Sequence, residues 1–235
     1  MPEILVSACL AGERCRYDGK ANLNREARRW VETGKAIPFC PEVAGGLSIP
    51  RPQAEIKEGR VITRDGEDMT PEFFLGAQKG LELCETHKIK RAFLMIHSPS
   101  CGSGLIYDGS FSKRLIPGDG IMGGLFKQNG VSVFSPADNS VIQVISDALK
   151  PLSKSADVGF WGRPWGVAHQ GPFFGSHHLL GDEYSVVDIC QHRRTGEVVV
   201  TEYGDSTLGK KVRDTLEEAG LLGFINQWRN GKRAK

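Results

Sequence analysis

The chain has 235 residues, of which 40% are hydrophobic, with 30 Lys and Arg residues against 28 Asp and Glu residues. This length and apolar content suffice for a hydrophobic core that needs no disulfide staples. The near balance of charge excludes a basic field strong enough to indicate nucleic acid by itself, although it permits a local basic patch. There is no secretory signal pattern and no run of about eighteen apolar residues, so we expect a cytoplasmic protein without membrane contact.

The amino-terminal part of the chain alternates short apolar strands with helices. The predicted strands lie at residues 3–10, 36–39, 91–96 and 131–134, and the predicted helices at residues 24–31, 70–87, 121–127 and 139–149. Asn24 and Thr70 are suited to cap the first two helices, and residues 55–69 form a hairpin or a loose connection. This alternation predicts an α/β fold, Rossmann-like, with a mostly parallel sheet and helices on both faces.

Three of the six cysteines, Cys9, Cys40 and Cys101, follow or end predicted strands. Because parallel strands end at one edge of the sheet, we expect these thiols to meet in one crevice. Three thiolates favour a soft-metal or iron-sulfur site over a disulfide. Zinc is an alternative, although it normally takes a fourth protein ligand, and three unrelated buried thiols are another. Cys84 lies on the apolar face of a predicted helix, which indicates a core position.

Several short motifs surround these cysteines. They are SACL at residues 7–10, RYDG at 16–19, CPE at 40–42, GGL at 45–47, PR at 50–51, SPSCG at 98–102 and YDG at 107–109. In their order and spacing they resemble the DUF523 family, whose characterised members are thiouracil desulfidases. The resemblance covers about residues 1–150, which we therefore treat as one desulfidase domain.

The resemblance implies a [4Fe-4S] cluster held by only Cys9, Cys40 and Cys101, with one iron left open to bind the sulfur of a substrate. It also implies non-redox removal of sulfur from 2-thiouracil or a related thiouridine, which gives the oxo base and sulfide. The expected partner is a small thionated pyrimidine, with transfer RNA as a second candidate. Cys15, in the loop after Cys9, could also enter the site, but it lies outside this ligand set and is interpreted as a free thiol.

Exchange of sulfur for oxygen needs a group that activates water and a group that manages a proton. Our candidates for this catalysis are Glu42, Asp18 and Ser100, with Glu42 first because it follows a proposed ligand by two residues. A structural alternative pairs Glu42 with Arg51. Asp18 is in an Asp-Gly pair, which is also a turn signal.

Substrate binding is assigned to Ser98, three residues before Cys101, and to Tyr107 and Asp108, which follow it. The serine hydroxyls can hydrogen-bond a carbonyl or a water, or can serve an ordinary turn. A different class of function remains open, in which the same cysteines hold a metal or an iron-sulfur cluster without turnover. The chain would then be a carrier or an interaction protein.

Residues 151–235 lie outside the resemblance and predict a small α+β appendage. We expect a linker at residues 151–157, a hairpin formed by residues 184–190 and 197–203, and a helix at residues 208–228. Basic residues near this hairpin and helix suit RNA docking or a solvated surface. They are Arg193, Arg194, Lys210, Lys211 and Arg213. The sequence carries no signal for a particular oligomeric state.

Overall fold

The computed structural model describes residues 2–136, 140–153, 173–180, 186–192, 198–203 and 206–230. The chain divides into two compact units, residues 1–136 and residues 137–235. The helix at Ser140–Ser153 belongs to the second unit, because its apolar side chains pack into the core of that unit.

The first unit contains eight strands and five helices. The strands are β1 (Ile4–Ser7), β2 (Ala36–Phe39), β3 (Ala54–Lys57), β4 (Arg60–Thr63), β5 (Arg91–Phe93), β6 (Leu105–Tyr107), β7 (Leu115–Pro117) and β8 (Ser132–Phe134). The helices are α1 (Ala8–Ala11), α2 (Arg25–Glu32), α3 (Pro41–Ala44), α4 (Thr70–Thr86) and α5 (Ile121–Gln128). Its main sheet has the order β2-β1-β5-β8 with every pair parallel. Two antiparallel hairpins, β3–β4 and β6–β7, stand apart from it.

Both faces of the parallel sheet are covered, as predicted. Leu5 of β1 packs with Ala77 of α4 and Met122 of α5 in one hydrophobic cluster. Its neighbour Val6 packs with Ala27 of α2 in another. Because side chains alternate along a strand, consecutive residues of β1 serve opposite layers. The parallel α/β architecture with helices on both faces is confirmed.

Of the two predicted helix caps, one is present in the structure and the other is not. Asn24 caps α2, and its Oδ1 accepts hydrogen bonds from the backbone of Glu26 and Ala27 at 3.0 Å. The prediction that Thr70 caps α4 is wrong, because Thr70 is the first helical residue and Met69 holds the cap position. The Thr70 hydroxyl instead accepts from the backbone N–H of Val61 at 2.9 Å. It thereby ties the helix to β4.

Two strands are shorter than predicted. The chain leaves β1 after Ser7 and turns at once into α1, so Cys9 lies in a helical turn beyond the strand. Likewise β5 ends at Phe93, although the next residue still donates its N–H to Phe134 at 2.9 Å. Residues 54–63 form a hairpin, which was one of the two structures predicted for this part of the chain. The hairpin β6–β7 was not predicted.

The second unit is an α+β assembly. Its strands are β9 (Phe173–Leu180), β10 (Val186–His192), β11 (Val198–Tyr203) and β12 (Ile225–Asn230), and its helices are α6 (Ser140–Ser153) and α7 (Ser206–Glu218). The sheet order is β12-β11-β10-β9, in which only the β11–β12 pair is parallel. Ile145 and Leu149 of α6 pack with Leu216 of α7 in its core. No helix in the described ranges is long and apolar enough to span a membrane.

The predicted elements of this unit are partly corrected. The hairpin is confirmed by the antiparallel pairing of β10 with β11. The helix expected at residues 208–228 is wrong, because α7 ends at Glu218 and Gly220 follows with a positive φ of 68°. The last residues of the predicted helix belong instead to β12, which begins at Ile225. Residues 151–153 of the predicted linker belong to α6, and the rest of it, with Arg193 and Arg194, lies outside the described residues.

Candidate active site

A cavity of about 420 Å³ lies in the first unit, where β1, β2 and β5 end. Its wall includes the last residue of β1, Ser7, the last residue of β2, Phe39, and residues 95–99 after β5. This is the carboxyl edge of the parallel sheet, where open α/β folds bind their ligands. The cavity therefore lies where the cysteine positions predicted a site.

The first two predicted ligands reach this cavity from the starts of short helices. Cys9 is in α1, directly after β1, and is 8% exposed. Cys40 follows β2 and is the N-cap residue of α3, whose first residue is Pro41. Both cysteines line the cavity wall.

Cys101 is held in a tight loop after β5 that packs on the start of α5. The Ser98 hydroxyl accepts hydrogen bonds at 3.1 Å from the backbone N–H groups of Ser100 and Cys101. The backbone N–H of Met122 in turn donates to the carbonyl of Ser100 at 2.8 Å. A Cβ on Gly123 would lie 2.2 Å from the carbonyl oxygen of Gly102, so this close approach requires glycine. The loop is thus fixed by α5 on one side of the cavity.

A fourth cysteine, Cys15, which is outside the predicted ligand set, also lines the cavity and forms no disulfide. Its thiol interacts with those of Cys9 and Cys40, and its carbonyl accepts from the Cys40 thiol at 3.7 Å. Cys15 is 6% exposed and immediately precedes the RYDG motif. That adjacency was the signal that could have identified it, since neighbouring motif residues share a site.

The surroundings of Cys15, Cys40 and Cys101 raise the pKa of each thiol. The hydrogen bond with the Cys40 thiol lowers the pKa of Cys15, but the Cys9 thiol and burial outweigh it and raise that pKa to about 12. The pKa of Cys40 is raised by its hydrogen bond with Cys15 and by burial. Burial raises the pKa of Cys101, against a hydrogen bond with Ser7 that lowers it. Thiolates at these positions therefore need a positive charge, such as bound iron, beside them.

Glu42 lines the same cavity and has partners on both carboxylate oxygens. The Ser100 hydroxyl donates to Oε1 at 2.8 Å, and Arg51 Nε donates to Oε2 at 2.7 Å. The structural alternative, a pair with Arg51, is therefore present together with a position at the cavity. Ser100 is 1% exposed and is not part of the cavity wall, so it contacts the site through Glu42.

Two glycines set the position of Glu42. A Cβ on Gly76 of α4 would lie 1.9 Å from the carbonyl oxygen of Pro41 in α3. A Cβ on Gly45 would lie 2.0 Å from the carbonyl oxygen of Glu72. Because both glycines lack side chains, the backbones of α3 and α4 touch directly, and Glu42 is carried on a helix that cannot shift freely.

The other predicted residues divide between the cavity and its surroundings. Ser98 and Tyr107 line the cavity, and Asp18, Asp108 and Ser100 do not. Asp18 is paired at 3.1 Å with Arg16, which lowers its pKa and which itself lines the cavity. The pKa of Asp108 is lowered by hydrogen bonds from Ser110. The structure thus brings together all three proposed cysteine ligands with Glu42, Ser98 and Tyr107.

The cysteines at the cavity are a donor set suited to an iron-sulfur cluster. Within the described residues, no group of three His, Cys, Asp or Glu side chains is arranged to hold one metal ion. The cysteines of a cubane each bind a different iron, so they surround a larger body. Four thiols, of which Cys9, Cys15 and Cys101 are buried and Cys40 is partly buried, line a cavity of about 420 Å³ and meet that requirement.

The fold and site define an α/β protein with a multi-cysteine centre at the carboxyl edge of a parallel sheet. Residues 4–138 match the family model described as 2-thiouracil desulfurase. The chain belongs to this family of enzymes, which confirms the resemblance seen in its motifs.

Two relatives support the assignment. The chain is 41% identical over 142 residues to the uncharacterised protein YbbK of Bacillus subtilis (strain 168), with 56% of this chain and 94% of that protein covered. A solved structure of the [4Fe-4S]-dependent thiouracil desulfidase TudS is 40% identical, with a TM-score of 0.55. That similarity covers 64% of this chain and 99% of the TudS chain.

Proposed function

We propose that this protein is a desulfidase that uses a [4Fe-4S] cluster to convert a thionated pyrimidine, 2-thiouracil or a related thiouridine, into the oxo base. Water supplies the oxygen, and the sulfur leaves as hydrogen sulfide. The exchange therefore balances without an oxidant or a reductant. The observation that carries this proposal is the convergence of four cysteines and Glu42 on one cavity.

Cys9, Cys40 and Cys101 would hold the cluster, as the resemblance implies, and Cys15 is the further thiol within the same wall. When bound, the cluster supplies a Lewis-acidic iron that attracts the thiocarbonyl sulfur and weakens its bond to carbon.

Glu42 is the proposed general base. Its Oε1 accepts from the Ser100 hydroxyl at 2.8 Å, which leaves further lone-pair capacity on that oxygen for a water in the cavity. A carboxylate so placed can take a proton from water and return it to the departing sulfur. Ser100 keeps the carboxylate oriented, and Asp18 acts one step further away by fixing Arg16.

The remaining wall suits a flat heterocycle. It contains large apolar side chains, namely Phe39, Leu47, Met69, Phe73 and Met95. Such a lining excludes bulk water and packs against a ring, while a few polar groups fix its orientation. Ser98 and Tyr107 are the proposed substrate contacts. Asp108, next to Tyr107, would support the loop through its bonds with Ser110.

A second candidate function follows from the fourth cysteine. Four cysteines are the usual complete ligand set of a [4Fe-4S] cluster, and a fully ligated cluster suits a carrier without turnover. Replacement of Glu42 by Gln separates the two functions. An enzyme should lose about 100-fold or more in rate while its iron content is unchanged, whereas a carrier would show no functional loss.

The test of the proposal is sulfide release by the anaerobically reconstituted full chain. We expect equal amounts of sulfide and uracil from 2-thiouracil, and the same assay on thiouridine and on thiolated transfer RNA ranks the substrates. The assay includes transfer RNA because α7 carries three exposed basic side chains, Lys210, Lys211 and Arg213. A protein with a full cluster that is inert towards all three would contradict the enzymatic proposal.

A further inference from the structure

Arg51 is a cavity-lining residue whose side chain is only 4% exposed. Its Nε donates to Glu42 Oε2 at 2.7 Å, and its Nη2 lies 2.6 Å from the same oxygen. Nη2 also donates to the carbonyl of Cys15 at 2.9 Å, and Nη1 donates to the carbonyl of Ser48 at 3.1 Å. The guanidinium thus joins Glu42 to the loop that carries Cys15.

These contacts make the two oxygens of Glu42 unequal. Oε2 faces two nitrogens of the guanidinium, whereas Oε1 accepts from the neutral Ser100 hydroxyl at 2.8 Å. The guanidinium therefore occupies Oε2, whereas the single bond from the hydroxyl leaves lone-pair capacity on Oε1. Oε1 is thus the oxygen that can take a further hydrogen bond from a water.

Stability alone gives little reason for such a pair. Burying two charges costs desolvation energy that their attraction only partly offsets. A pair of apolar residues of similar size often gives a protein equal or greater stability. The Arg51 and Glu42 side chains are 4% and 15% exposed. By contrast, the Arg60–Asp68 pair of the first unit is 64% and 34% exposed, and neither residue lines the cavity.

We propose that Arg51 is a positioning residue for the desulfuration. It occupies Oε2 of Glu42 and fixes the carboxylate plane, so that Oε1, beside the Ser100 hydroxyl, exchanges the proton with water. This inference rests on the proposed function, in which Glu42 is the general base.

The test is a double-mutant cycle of wild type, Glu42→Gln, Arg51→Met and the double variant, each loaded with cluster. We expect Arg51→Met to lower kcat about 100-fold in the wild-type background. It should have no further effect in the Glu42→Gln background, because it acts only through that carboxylate. KM for 2-thiouracil and iron content should stay at wild-type values.

Arg51→Lys keeps the charge but loses the planar fork, so its rate should fall between those of wild type and Arg51→Met. If Arg51→Met fails to fold because Glu42 is left unpaired, Arg51→Lys takes its place in the cycle, in both the wild-type and the Glu42→Gln backgrounds. Arg60→Met, which removes the exposed pair, is the matched control and should keep the wild-type rate.

Equal losses in the wild-type and Glu42→Gln backgrounds would overturn the positioning role, as would loss of iron from Arg51→Lys. A wild-type rate in Glu42→Gln would instead overturn the assignment of Glu42, and the role of Arg51 with it. The two failures are therefore distinguishable.

Discussion

At the scale of single residues, the cysteines carry the first prediction. Replacement of Cys9, Cys40 or Cys101 by Ser should abolish stable cluster loading, because serine is a poorer ligand for iron in such clusters than thiolate. Cys84 of α4 is the matched control, since it is 1% exposed in the core and does not line the cavity. The measurement is iron and acid-labile sulfide after anaerobic reconstitution.

Cys15→Ser belongs to the same series and is expected to retain the cluster. If Cys15→Ser lost iron while one of the three other variants kept it, the ligand set would have to be redrawn. The Cys15 thiol interacts with the thiols of both Cys9 and Cys40, which makes this variant the informative one.

Much of the site could be predicted from residues that follow strands. Cys9, Cys40 and Cys101 share the cavity because the ends of parallel strands share one sheet edge. Cys15 could not be placed in this way, because it lies in the loop between α1 and α2 and its position depends on tertiary contacts. The same limit applies to Asp18, whose pairing with Arg16 decides its environment.

At the scale of elements, the contact between α3 and α4 controls where Glu42 lies. Gly76→Ala would place a Cβ 1.9 Å from the carbonyl oxygen of Pro41, so the two helices would have to separate. We expect a destabilisation of about 1–3 kcal/mol from this overpacking. Desulfuration should also slow, because the separation displaces Glu42.

The matched control is Gly124→Ala in α5, where the nearest atom to an added Cβ is 3.5 Å away. This substitution should leave activity unchanged and raise stability by about 0.5–1 kcal/mol, since alanine is the better helix former. Denaturant unfolding and sulfide release measure both variants. Equal behaviour of Gly76→Ala and Gly124→Ala would refute the proposed tight contact.

The elements themselves follow from local sequence where the pattern is strong. The cap at Asn24 is confirmed because it depends on a short-range signal, and the parallel sheet is confirmed because strands alternate with helices along the chain. The helix expected at residues 208–228 is wrong because its apolar pattern continues past Gly220, where a positive φ ends α7. Pairing of β12 with β11 is a long-range contact that the local pattern does not reveal.

At the scale of the whole molecule, the family match and the cysteine-lined cavity both fall in the first part of the chain. The match spans residues 4–138, and among the residues that the structure describes, those that line the cavity belong to the first unit. The described members of the two hydrophobic clusters around the parallel sheet belong to this unit as well. A protein that ends at residue 138 should therefore fold, load its cluster and release sulfide from 2-thiouracil at the rate of the full chain.

Circular dichroism, iron content and sulfide release test this truncation. If the second unit docks RNA, the shortened protein should lose activity on thiolated transfer RNA while keeping its activity on the free base. Loss of the cluster or of activity on the free base would show that the second unit is required for the site.

The central claim is that oxygen from water replaces the sulfur of a thionated pyrimidine in this cavity without net redox change. The most direct measurement is the mass of the uracil formed from 2-thiouracil by the cluster-loaded protein in water labelled with a heavy oxygen isotope. We predict that every uracil released carries one labelled oxygen and is matched by one sulfide, with no added oxidant or reductant. Unlabelled uracil, or a cluster-loaded protein that forms no uracil, would contradict the claim.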